Sequence, residues 1–307
     1  MHRRSIIRGA IATGAAAALA AGLAACSVES EDGGDESNDQ IDFGLPEGEG
    51  DITIGVIPGW DEGVVTTEMW KQAFTSAGYD VSVEEITEAG VLFEALSSGG
   101  VDLFLDGWLP VTHATYMDEY GDQIENLGVW NENAALTVAV PTYVDIDSLT
   151  ELNDNADLFG GEIIGIEPSA GLTEAVQDNA MPTYGMDDLT LKTSSTPSML
   201  AELDSAIAAE EPIVVTLWQP HWAYAKYDLK NLEDPELTLG ETETISAFAR
   251  TGFSEEYPEL AEALSDFTMS DDQLANLEEV VYDEHDGDVP AGVTAWLQEN
   301  SFQDLLS

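Results

Sequence analysis

The order in which the hydrophobic period switches along the chain is the feature that most restricts its fold. From residue 51 onward, short β-branched runs alternate with segments of helical spacing, and Gly or Pro stands between many of them. The β-branched runs predict strands, and apolar residues three or four positions apart predict helices. A strand–helix alternation of this kind favours an α/β fold with a parallel sheet. The first series predicts strands over 52–58, 80–86 and 101–105 and helices over 64–77 and 91–96.

A second series follows a strand predicted over 135–140, and three final helices have no strands of their own. We expect those helices to return and cover the first series. The pattern therefore predicts two α/β lobes, with residues 51–137 and 245–307 in lobe I and residues 138–244 in lobe II, and a ligand cleft between them. The second series predicts strands over 162–166, 189–193, 212–217 and 244–250 and helices over 171–179, 197–210, 256–267, 271–282 and 290–298.

Residues 1–25 have the composition of an export signal. Arg3, Arg4 and Arg8 precede an Ala- and Gly-rich run that is too short and too weakly apolar to be a good membrane span. The run ends in LAAC at 23–26, which resembles a bacterial lipobox. We expect Cys26 to be lipidated and to anchor the protein at the outer face of the cytoplasmic membrane. The two adjacent arginines also resemble a twin-arginine motif, so the export route stays open.

Residues 26–50 are predicted to be a flexible tether after the lipidated cysteine. Residues 27–50 carry nine acidic residues, no basic residue and many Gly and Ser. Such a segment buries too little apolar surface to offset the entropy of ordering, and we expect the folded part to begin near Asp51.

The charge of the chain excludes several functions. The chain has 61 Asp and Glu against 8 Lys and Arg, for a formal net charge of -53. This charge repels phosphate backbones and anionic lipid surfaces, so nucleic-acid binding is not expected. A single cysteine excludes a disulfide framework and a site with several cysteine ligands. We infer a high-salt habitat, because so much like charge would destabilise a fold in dilute salt.

Four of the seven tryptophans follow predicted strand ends. The carboxyl ends of parallel strands are where open α/β sheets present ligand sites, so we expect these four near the cleft. The patterns around Trp70 and Trp296 favour core positions, whereas the polar stretch around Trp130 does not decide its place. The four cleft candidates are Trp60, Trp108, Trp218 and Trp222.

Several indole rings around one cleft suggest that the ligand is a cation without N–H groups. A quaternary ammonium group is recognised mainly by cation–π contact. Gly63 and Val64 open a predicted helix, where free amides suit a carboxylate, and His221 is a further hydrogen-bond donor. A zwitterion also avoids the repulsion that an anion would meet near this chain.

The tryptophans belong to three longer segments, WDEGV at 60–64, VDLFLDGWLPVTH at 101–113 and WQPHW at 218–222. Together these segments resemble the glycine betaine-binding proteins of ABC importers, over about residues 51–305. The resemblance implies a two-lobed type II periplasmic-binding fold that closes on its ligand. It also implies docking on a permease pair with cytoplasmic ATPase subunits.

The resemblance also implies roles for individual residues. Trp108 and Trp218 would be walls of a cage around the trimethylammonium group. His221 and the backbone amides of Gly63 and Val64 would hold the ligand carboxylate. A third aromatic wall is left open between two candidates, Trp60 and Trp222. Because relatives also take proline betaine, choline or other osmolytes, the exact ligand stays open too.

Two other classes of function remain as alternatives. One is a solute-binding protein for another small zwitterion or cation, such as choline, carnitine or proline betaine. The other is a ligand receptor without transport. An exported hydrolase is disfavoured, because the chain has no Gly-x-Ser-x-Gly elbow and its histidines lack metal-ligand spacing. We expect no enzymatic activity, no cofactor and no metal, and a monomer.

Overall fold

The computed structural model describes residues 41–306, which form one mixed α/β unit. The predicted export signal, Cys26 and the first part of the predicted tether lie outside the described residues. The α/β class expected from the hydrophobic periods is confirmed. The strands are β1 (Asp51–Val56), β2 (Asp80–Glu85), β3 (Leu103–Leu109), β4 (Ile124–Pro141), β5 (Glu162–Ile164), β6 (Thr190–Lys192), β7 (Val215–Gln219), β8 (Leu229–Asn231) and β9 (Glu243–Arg250).

The helices occupy most of the positions at which helical spacing predicts them. The α-helices are α1 (Asp61–Ser76), α2 (Ala89–Ser98), α3 (Ala114–Tyr120), α4 (Gly171–Glu174), α5 (Met181–Tyr184), α6 (Thr196–Ala209), α7 (Ala223–Lys226), α8 (Phe253–Glu256), α9 (Pro258–Asp266), α10 (Asp271–Glu279) and α11 (Val289–Glu299). Short 3₁₀ segments cover Gly121–Gln123, Leu149–Glu151, Asn153–Phe159 and Phe302–Leu305. Two π-helical turns, Ala175–Ala180 and Val280–Glu284, continue α4 and α10.

The strands follow one another in the order β2-β1-β3-β9-β4-β7-β5-β6, and β8 pairs with β4. The pairs β1–β2, β1–β3, β5–β6 and β5–β7 are parallel, as the strand–helix alternation predicts. β9 is antiparallel to both β3 and β4. The sheet is therefore mixed at its centre, where the chain returns after the second series.

Strand β4 joins the two halves of the sheet. It pairs with β9 over its first part, from Ile124 to Ala134, and with β7 from Ala135 to Ala139. Three register shifts against β9 accommodate its length. The lobe boundaries predicted at residues 137 and 245 stay a prediction.

The C-terminal helices pack on elements of the first series. α10 and α11 contact α1, and α9 contacts β4. Trp70 of α1 is fully buried with its ring 5.3 Å from Phe267 and 5.2 Å from Phe302. These aromatic contacts join the end of the chain to the first helix. Within residues 41–306, no helix is both long and apolar enough to cross a membrane.

The segment 41–50 differs from the flexible tether predicted for it. It contains neither helix nor strand, but Phe43 is buried and lies edge-on to Phe302 at 5.1 Å. The amide of Gly48 donates to the carbonyl of Ala77. The folded part therefore begins before the predicted start near Asp51. Phe43, the partly buried Ile41 and Leu45, and backbone hydrogen bonds at Gly48 and Gly50 attach this segment to the core.

Candidate ligand-binding cavity

Trp60, Trp108 and Trp218 line one cavity. All three side chains are buried. Because they come from distant parts of the chain, the fold alone brings them together. The residues that line the cavity are Trp60, Glu62, Trp108, Thr112, His113, Leu136, Ile166, Ala170, Gly171, Leu172 and Trp218.

Both series of elements contribute to the cavity. Trp60 is the N-cap residue of α1, directly after the turn that follows β1, and Trp108 lies near the end of β3. Trp218 lies near the end of β7, and Gly171 begins α4. The structure thus brings three of the four candidate tryptophans together at one cavity, and their roles toward a ligand stay a prediction.

The polar edge of each cavity tryptophan is bound to a carboxyl group. The indole Nε1–H of Trp108 donates to Asp106 at 2.7 Å, and that of Trp218 donates to Glu62 at 2.9 Å. Trp60 makes a longer bond of 3.4 Å to Glu167. With their only donors engaged, the rings have apolar surface and π-electron density left for a ligand.

Glu167 connects the Trp60 indole to the start of α6. One of its oxygens accepts from the Thr196 amide at 2.7 Å, and the other accepts from the Thr196 hydroxyl at 2.8 Å. The Glu167 side chain is buried, so these bonds compensate for the loss of water. Glu167 therefore holds a contact between the first and second series of elements.

Four carboxyl groups are buried beside the cavity, and burial raises the pKa of each. Burial raises the pKa of Asp61 to about 6 and that of Asp106 to about 7. The pKa values of Glu62 and Glu278 are well above the ordinary value, first because of burial and then because of neighbouring acids. Asp106 Oδ2 and both Glu278 oxygens have no hydrogen-bond partner. The surroundings of the cavity therefore favour carboxyl groups that keep their protons.

His113 lies on the cavity wall as a neutral ring. Its Nδ1 accepts from the Trp108 amide at 2.9 Å, which places the ring proton on Nε2, where the structure gives it no partner. Burial lowers the pKa of His113 to about 3. The ring is stacked on Trp60 with the centroids 5.7 Å apart. His113 thus supports Trp60 and brings one free donor to the site.

Predicted site residues His221, Gly63 and Val64 do not line the cavity. His221 is buried behind Trp218, with the ring centroids 4.7 Å apart, and its Nδ1 accepts from the Ala223 amide. The Val64 amide donates to the Trp60 carbonyl, so the helix uses the group that was expected to bind a carboxylate. Gly63 lies against the side chain of Asp106. Their roles toward a ligand stay a prediction.

Trp222 faces a different groove. It is stacked on Tyr282 with the centroids 5.9 Å apart, and its indole donates to Asp61. The Lys226 ammonium lies 5.3 Å from its ring centroid. Of the two candidates for a third aromatic wall, the structure therefore brings Trp60 and not Trp222 to the cavity.

Sequence reasoning did not single out several residues of the cavity, among them Glu62, Thr112, His113 and Gly171. Glu62, Thr112 and His113 stand inside the segments WDEGV and VDLFLDGWLPVTH, so those segments held the available signal. Among residues 41–306, no group of three or more His, Cys, Asp or Glu has the geometry to hold a metal ion.

Comparisons with known proteins agree with this architecture. The glycine betaine/carnitine transport binding protein GbuC of Listeria monocytogenes is 37% identical over 141 residues, which are 45% of this chain and 46% of that protein. The match thus spans less than half the length of that relative.

Two solved structures are similar over 84% of this chain at 28% identity, each with a TM-score of 0.76. One is the glycine betaine/L-proline-binding protein ProX of Borrelia burgdorferi, covered over its whole length. The other is lactococcal OpuAC in its closed conformation with glycine betaine, covered over 99%. The two-lobed periplasmic-binding fold implied by the resemblance is thereby confirmed.

A family model described as the substrate-binding domain of ABC-type glycine betaine transport systems matches residues 50–299. That range includes every residue that lines the tryptophan cavity. This chain belongs to the family of substrate-binding domains of ABC-type glycine betaine transport systems.

Proposed function

We propose that this protein is the extracytoplasmic substrate-binding component of an ABC importer and that it captures glycine betaine or a related quaternary ammonium solute. The observation that carries the proposal is the convergence of Trp60, Trp108 and Trp218 on one cavity. A trimethylammonium group offers no hydrogen to a carboxylate, whereas it is attracted to the faces of indole rings. The membership of the family supports the same class of ligand.

Ligand capture and closure would be one process. The cavity takes Trp60 and Trp108 from the first series of elements and Trp218 and Gly171 from the second. A ligand that touches both sets stabilises the closed state more than the open state, and the population shifts accordingly. A permease that recognises only the closed form would then accept loaded protein. The permease and its ATPase subunits are the partners that this proposal requires.

The N-terminal sequence supports attachment to the membrane surface. Lipidation at Cys26 would leave the acidic residues up to about position 40 as a tether to the folded part. Metabolic labelling with a fatty acid tests this point. The native protein should carry label and the variant Cys26→Ser should not.

The function is tested by calorimetric titration of the purified protein in high salt with glycine betaine, proline betaine, choline, carnitine and proline. We expect binding of quaternary ammonium ligands and little binding of proline, whose ammonium group is not quaternary. Trp108→Ala and Trp218→Ala should each weaken binding by about tenfold or more, because a desolvated cation–π contact is worth on the order of 1–2 kcal/mol.

Trp222→Ala is the matched control, because it removes an indole of the same segment that lies outside the cavity. It should leave the affinity nearly unchanged. If none of the quaternary ammonium ligands binds to the folded wild-type protein, the proposed function is wrong. Equal losses in Trp222→Ala and Trp218→Ala would instead contradict the assignment of the cavity.

A further inference from the structure

Glu62 is the acidic residue on the wall of the tryptophan cavity. Its side chain is 2% exposed, on the first turn of α1. Apart from the three tryptophans, the other polar side chains that line the cavity are Thr112 and the neutral His113. A carboxyl group at this position is next to any ligand that binds in the cavity.

The position of the Glu62 carboxyl group is fixed from the second series of elements. Trp218 donates its indole N–H to Glu62 Oε2 at 2.9 Å, so the carboxyl group is held at the edge of a cage wall. A cation against the Trp218 ring is therefore within a few ångströms of this carboxyl group. At such distances, and with little water between, one charge changes binding by tenfold or more.

The charges around Glu62 are predominantly acidic. Asp61 precedes it on α1, Asp106 faces it from β3 and Glu278 faces it from α10. Tyr282 and the neutral His221 lie beside Asp61. Burial and the charges of Asp106 and Glu278 raise the pKa of Glu62, whereas its own amide and the Trp218 indole lower it. In the absence of a cation in the cavity, the Glu62 carboxyl group therefore keeps its proton at pH values above those at which a glutamic acid ordinarily ionises.

We propose that Glu62 determines which charge class of quaternary ammonium ligand the cavity accepts. Its ionised carboxylate selects a ligand with net positive charge, such as choline, and its protonated carboxyl group admits a zwitterion, such as glycine betaine. The protonated group donates a hydrogen bond to a ligand carboxylate, whereas the ionised group repels it. This inference rests on the proposed function of the cavity.

Proton linkage gives the sign of the effect. A net cation binds best to ionised Glu62, so its affinity rises with pH until the residue is ionised in the free protein. The affinity for glycine betaine falls over the same range. Choline binding at the lower pH also releases a proton from Glu62 into the buffer, and glycine betaine binding does not.

The experiment is calorimetric titration of the purified wild-type protein with choline and with glycine betaine between about pH 5 and about pH 9, in high salt. Two buffers of different ionisation enthalpy at each pH measure the released protons. We expect the ratio of choline affinity to glycine betaine affinity to rise by about tenfold or more across this range. A ratio that stays constant while both ligands bind overturns the role of Glu62 and leaves the proposed function intact.

Glu62→Gln tests the residue directly, since an amide oxygen still accepts from the Trp218 indole. The variant should bind glycine betaine and show a ratio that no longer depends on pH. Glu68→Gln, the same change further along α1 and outside the cavity, should behave as wild type. Wild-type pH dependence in Glu62→Gln would assign the effect to another group and overturn the proposal. Absence of binding for both ligands at every pH would overturn the proposed function and this inference with it.

Discussion

Asp106 shows at the scale of one residue how a buried carboxyl group beside the cavity makes the stability of the fold depend on pH. Its Oδ1 accepts from the Trp108 indole, its Oδ2 has no partner, and burial raises its pKa to about 7. The folded state therefore binds this proton more tightly than the unfolded state. The resulting stabilisation is fully present below about pH 4 and is lost as the pH rises through about 7, with an upper bound of about 4 kcal/mol.

Urea unfolding of the wild type and Asp106→Asn between about pH 4 and about pH 8 measures this loss at constant high salt. The variant keeps an acceptor for the Trp108 indole and has no proton to lose, so its unfolding free energy should fall less with pH. Asp118→Asn, an exposed change on α3, is the control and should follow the wild type. Identical pH profiles for Asp106→Asn and the wild type would contradict the prediction.

The residues of the cavity could be predicted only in part. The sequence predicts Trp60, Trp108 and Trp218 as cavity residues, because strand ends converge and tryptophan is rare. Glu62 stands inside the segment WDEGV, but nothing else in the sequence separates its carboxyl group from those of the other acidic residues. For Val64 the predicted contact with a ligand stays a prediction, but its amide stands one turn into α1 and is bonded to the Trp60 carbonyl. Whether a helix amide is free depends on where the helix begins, which sequence spacing locates only to within a few residues.

At the scale of elements, the start of α4 closes the cavity through Gly171. A Cβ atom there would lie 2.0 Å from the Thr112 carbonyl oxygen. Thr112 cannot withdraw easily, because its amide and hydroxyl are both bonded to buried Glu243. Gly171→Ala should therefore hold α4 away from the turn after β3 and weaken betaine binding by about tenfold or more.

Titration calorimetry and thermal unfolding together check this prediction. Gly90→Ala is the control, because its Cβ would come no closer than 3.4 Å to Tyr116. The control should keep the wild-type affinity. An unchanged affinity in Gly171→Ala would show that α4 can shift without opening the cavity.

The hydrophobic periods predict the order of strands and helices, but they do not predict the length and pairing of every strand. The parallel pairs of β1 with β2 and β3 are those that a strand–helix–strand alternation dictates. β4, however, is an 18-residue strand, and only its last part was predicted. Its first part runs through the polar stretch around Trp130, where pairing with β9 and burial of the indole against the Leu105 carbonyl replace a local hydrophobic pattern.

At the scale of the whole molecule, the few basic residues of the folded part are all paired with acidic residues. Residues 41–307 contain five basic residues and 55 acidic ones. The basic residues each lie within 4.0 Å of an acidic partner: Lys71, Lys192, Lys226, Lys230 and Arg250. Most of the acidic residues therefore have no basic partner within the fold, and solution cations must screen them.

We therefore expect the thermal midpoint to rise by about 10 °C between about 0.1 M and about 2 M NaCl, because the screening length falls from about 10 Å to about 3 Å near 1 M salt. Screening saturates at moderate salt, whereas exclusion of a cosolute from the surface grows steadily, so the shape of the curve separates the two causes. The triple variant Glu259→Gln, Glu262→Gln and Asp266→Asn removes three exposed charges from one face of α9 and should flatten the low-salt part of the curve. A thermal midpoint that does not rise with salt would contradict the inferred high-salt habitat. It would show that the acidic surface is stable without screening by solution cations.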